Sequence, residues 1–108
     1  METKIKIGNE EYELRYTIRN MFVYQRITGK REFNPEELFD LYMYFYSCLI
    51  ANNPNFNILA DEFLNVCDKD PNLITEFIEF FTRAIAFLNQ TSKHEEKKED
   101  EDDVKKKD

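Results

Sequence analysis

The stretch DKDPNLITEFIE, Asp68 to Glu79, comes nearest to a known chemistry. Asp68, Asp70, Asn72 and Glu79 stand at positions 1, 3, 5 and 12 of a calcium loop, where oxygen donors at that spacing surround a hard cation. The match fails at the turn, since position 6 needs glycine and holds Leu73, while Pro71 occupies position 4. A helix start explains the same residues, with Asp70 as the cap and Pro71 at the first position. A small ion-binding protein using Asp68 to Glu79 is kept as an alternative reading.

Other chemistries lack their parts. His94 is the only histidine and falls in the charged C-terminal segment expected to be disordered, so no zinc set and no Cys-His or Ser-His pair can be assembled on the body. The carboxylate pairs Glu36 with Glu37 and Glu76 with Glu79 suit a helix's first turn or wet face, and no neighbour is arranged to shift a pKa. Gly8 and Gly29 are the only glycines, too few for a phosphate-cradling loop. Cys48 and Cys67 each sit inside an apolar periodic segment, without Cys-x-x-Cys spacing, and are expected as reduced core thiols. The expectation is a protein that is not an enzyme, with no catalytic residue, cofactor or metal.

The elements that would position such residues follow from the 108-residue chain and its net charge of −7. That length holds one domain, and an acidic chain lacks the field that neutralises phosphates, so nucleic acid is not an expected partner. No positively charged leader precedes an apolar core, and no apolar run approaches the roughly 18 residues that span a bilayer, so a cytosolic protein is expected. After Ser92 the composition changes to KHEEKKEDEDDVKKKD, with Val104 its one apolar residue. Such a segment buries too little to offset its ordering entropy. The division expected is a domain over residues 1–92 and a disordered charged tail over 93–108.

Within the domain, Ile5 and Ile7, then Tyr12, Leu14 and Tyr16, alternate with charged neighbours about Gly8-Asn9, which predicts a β-hairpin. Thr17 caps a helix carrying Ile18, Met21, Phe22, Tyr24 and Ile27, stopped by Gly29. Lys30 and Arg31 beyond it suit the negative end of the helix dipole and require no ligand. Asn34-Pro35-Glu36-Glu37 predicts the start of a second helix running to about Asn52. A third carries Leu59, Phe63, Leu64 and Cys67 inward. A fourth, from Asp70-Pro71 to about Gln90, carries Leu73, Ile74, Phe77, Ile78, Phe81, Ala84, Ile85 and Leu88 inward, leaving Phe80 and Phe87 off the stripe. The fold class is α+β, mostly α: an N-terminal hairpin followed by about four helices.

The second helix is unusual. LFDLYMYFYSCLIA is apolar or aromatic at almost every position, where a surface helix would show a polar back. With ten Phe and six Tyr in so small a chain, two readings stand side by side, a core alone or a core plus an aromatic face for another protein.

The wording KIGNEEYELRYTIRNMFVYQRITGK, then the Tyr/Phe-rich helix, ANNPN and DEFLNVCDKDPNLITEF, resembles the small tail assembly chaperones of long-tailed phages and prophages, especially those of gut Bacteroides-type bacteria. The resemblance covers roughly residues 4–88. It implies a protein-binding module in the cytoplasm of a bacterial host, one that coats the long helical tape measure protein before the tube polymerises around it, and is absent from the virion. It also implies Phe39, Tyr42, Phe45, Tyr46 and Phe80 as contact residues, and is compatible with a homo-oligomer. A structural tail or virion subunit is a further alternative.

Overall fold

A computed structural model of the chain describes the backbone of residues 2–107 and the side chains of residues 3–90. Strands β1 (Glu2–Ile7) and β2 (Glu10–Arg15) pair antiparallel, with Ile7 opposite Glu10 and Ile5 opposite Tyr12. Gly8 has φ +64° and Asn9 is not in the positive region, which matches a type II′ turn with glycine at its first central position. Ile5, Ile7, Tyr12 and Leu14 are buried on one face, while Lys4 and Lys6 remain in solvent. The alternation therefore supplies one apolar face, which the helices cover.

Helix α1 (Ile18–Thr28) ends at Gly29, whose φ of +73° is the left-handed cap expected of glycine. Thr17 precedes it but makes no side-chain cap; its hydroxyl donates to Asn20 Oδ1 at 2.9 Å instead.

Helix α2 (Leu38–Asn52) begins three residues later than Asn34-Pro35 predicts. Asn34 accepts from the Glu36 N–H at 3.0 Å, as a capping side chain does, but residues 34–37 form a separate turn. Asp40 holds that turn, since its buried carboxylate accepts the Asn34 N–H at 3.0 Å. The missing polar back of α2 has a direct explanation. Met43 through Leu49 are buried without interruption, because the hairpin, α1 and α4 all pack around this helix. Phe45 stacks on Phe77 of α4 with centroids 4.6 Å apart and meets Phe63 of α3 edge-on at 5.0 Å.

Helix α3 (Ala60–Lys69) turns Phe63 and Cys67 inward. Leu59 and Leu64, expected inward, are exposed: Leu59 lies in extended backbone before the first turn, and Leu64 sits about 100° around from Phe63. Helix α4 (Asn72–Lys107) opens with the Asn72 N–H donated to Asp70 Oδ1 at 3.2 Å, and its inward stripe is Leu73, Phe77, Phe80 and Ala84. Phe80 is thus on the stripe, not off it, and Ile78 and Leu88 are exposed rather than inward. The backbone of α4 runs past Gln90; the side chains of the charged segment 93–108, expected as a disordered tail, lie outside the described residues.

Three asparagines fasten the hairpin to the far end of α2. Asn53 accepts the Glu13 N–H at 2.8 Å and donates to the Glu13 carbonyl at 2.9 Å, so a side-chain amide takes the place of a third strand beside β2. Asn52 Nδ2 donates to the Arg15 carbonyl and to Asn20 Oδ1, both at 3.2 Å, and Asn20 donates to the same carbonyl at 2.6 Å.

Candidate protein-binding surface

A cluster of charged groups lies where α1 gives way to α2. Past Gly29 the Lys30 ammonium turns back to donate to Asp40 Oδ1 at 2.6 Å, although Asp40 is removed from solvent and Lys30 is half exposed. The Lys30 bond, opposed by burial and reinforced by the Asn34 N–H, holds the Asp40 carboxyl below its usual range. The same bond raises the Lys30 ammonium above its ordinary value, again against the cost of burial. Phe33, three residues on from Lys30, stacks on Tyr44 at 4.4 Å and meets Tyr24 and Phe81 edge-on. Lys30 therefore does more than answer a helix dipole: it neutralises the carboxylate that anchors the connection. An open depression of about 920 Å³ lies over this pair, bordered by Gln25, Arg31, Glu32 and Glu37. Its buried carboxylate already has its partners, and the arrangement is suited to holding the loop.

The five aromatic residues expected as contacts divide. Phe39 is 58% exposed, and Lys30 Nζ lies 5.6 Å from its ring centroid. Tyr42 is half-buried. Phe45 and Phe80 have no solvent-accessible surface, and Tyr46 is buried with its hydroxyl donated to the Ile58 carbonyl at 2.6 Å. These three are core residues, because their positions on α2 and α4 face other elements of the chain. Only Phe39 and Tyr42 lie on a surface.

Other residues supply most of the exposed apolar surface. Ile18 is 74% exposed, Phe22 55% and Leu38 69%, and Leu59, Ile78 and Phe87 are exposed as well. The sequence groups Ile18 and Phe22 with Tyr24 as one helical set. A wheel advancing about 100° per residue separates them: Ile18 and Phe22 share one side, and the buried Asn20, Val23 and Tyr24 share the other. That signal is in the spacing, but which side faces in depends on where α2 lies.

Asp68 to Glu79 is not a loop. Asp68 lies in the last turn of α3, Asp70 caps α4, Leu73 is buried at the position where a calcium loop needs its turn, and Glu79 lies within α4. Among the described residues no group of three or more His, Cys, Asp or Glu is placed to hold a metal ion. Cys48 and Cys67 are free thiols in the core; burial pushes both up, Cys67 to about 11 with help from Asp68 and Asp70. Among the described residues no helix is long and apolar enough to cross a membrane. The chain matches no protein-family model, no curated protein and no solved structure.

Proposed function

We propose that the chain is a non-enzymatic protein-binding module that works as a tail assembly chaperone, binding a long helical tape measure protein during phage tail morphogenesis in the bacterial cytoplasm. The observation that supports this reading is the exposure of Ile18, Phe22, Leu38 and Phe39 on helices of a chain whose core is already filled with aromatic side chains. Large apolar groups held on rigid helices are suited to packing against an apolar stripe of another helix. Phe39 and Tyr42 are the contact residues retained from the resemblance; Leu38 joins them at the exposed start of α2.

Co-expression of the full chain with the long helical product of a neighbouring gene, followed by pull-down and light scattering, tests the proposal. A complex is expected, and Leu38→Ser with Phe39→Ser weakens it while leaving the melting midpoint close to that of the parent. A chain that stays monomeric and captures no such partner retires the chaperone reading. Recovery of the chain from purified virions would favour a structural subunit instead.

A further inference from the structure

Helix α1 carries its anomaly on the outward side. Ile18 and Phe22 lie one turn apart in the middle of its solvent face, where a surface helix ordinarily places polar residues. Arg19 and Arg26 lie together along one side of them, both exposed, and neither forms an ion pair among the described residues. From Arg15 to Arg31 the chain has five basic residues and no acidic one, whereas residues 32–90 have ten acidic and two basic. An open depression of about 380 Å³ adjoins the start of the strip, lined by Arg15, Thr17, Arg19 and Asn52 as well as Ile18, Ala51 and Pro54. An apolar strip edged by cations along one side is the complement of an amphipathic helix whose apolar residues are bordered on one side by Asp and Glu.

We infer that the outward face of α1 docks an acidic amphipathic helix of another protein, with Ile18 and Phe22 making the apolar contact and Arg19 and Arg26 selecting a negative flank. The inference rests on the protein-binding reading above and adds the chemistry of the partner. Two copies of this face would repel each other, since each presents the same cations. The chain's own acidic run, Glu99 to Asp103, offers charge but only Val104 to cover two large apolar side chains.

The test uses the full chain and two dye-labelled helical peptides with the same leucine spacing, one flanking its leucines with glutamate and the other with lysine. Fluorescence anisotropy should show the glutamate peptide binding at least about ten-fold tighter at low salt, with the gap narrowing as salt screens the charges. R19E with R26E reverses the preference, and F22S weakens the glutamate peptide's binding. Equal affinity for both peptides, or a preference untouched by the charge reversal, overturns the inference. So does self-association of the parent chain that is abolished, with peptide binding improved, when Glu99 to Asp103 are neutralised to Gln and Asn, because the face then belongs to the tail. A tape measure complex that survives R19E/R26E and F22S leaves the chaperone reading standing and removes this face from it. Peptide selectivity without any tape measure complex does the reverse.

Discussion

Asp40 shows how one residue can redirect a local signal. By local sequence it is a single acid in a run of apolar and aromatic residues. In the fold it is buried, and the Lys30 ammonium and the Asn34 N–H converge on it. The linkage has a definite sign. Because the Asp40 pKa is lowered from 3.8, its stabilisation is present above that value and is lost as pH falls through the lower folded value. Because the Lys30 pKa is raised from 10.5, its stabilisation is present below that value and is lost as pH rises through the higher folded value. Urea melts should therefore show this pair's contribution level across neutral pH and falling at both extremes. Asp40→Asn should lower the midpoint at neutral pH and flatten the acid limb; an unchanged pH profile would mean that the pair contributes nothing to folding.

At the scale of elements, α2 organises the molecule. Its aromatic run was legible in the sequence as an oddity, and burial on every side from Met43 to Leu49 is the resolution: a helix stretch without a polar back is central. Its end is as consequential as its middle. Asn52 and Asn53 read locally as residues that stop a helix, yet Asn53 satisfies both backbone groups of Glu13, forty positions away in the chain. Asn53→Ala would leave those part-buried groups short of partners and should cost about 1–3 kcal/mol in chemical denaturation. Asn55→Ala, at an exposed position two residues on, serves as the control and should stay within about 0.5 kcal/mol. A loss as small as the control's would show that water replaces the amide without penalty.

The whole molecule is one core with its thiols inside and some of its large apolar side chains outside. Cys48 lies in α2 at the centre and Cys67 near the end of α3. Native-state thiol labelling followed by mass spectrometry should modify Cys67 first, through local opening of α3, and Cys48 only at the rate of global unfolding. Equal rates would mean that α3 and α2 open as one unit. The hairpin, its turn at Gly8, the Gly29 stop, the Asp70 cap and the existence of four helices were all determined by the sequence alone, because each rests on backbone preferences and periodicities within a few residues. Tertiary structure alone decided which aromatic residues are core. The period of α4 admits a broad apolar sector, and only the positions of β1, α2 and α3 around it select Phe80 and leave Ile78 outside. It likewise placed Phe45 and Tyr46 within the molecule and Ile18 and Phe22 on its surface. Burial is a relation between distant segments, and a helix's own spacing says how its residues are arranged around its axis but not what lies on each side.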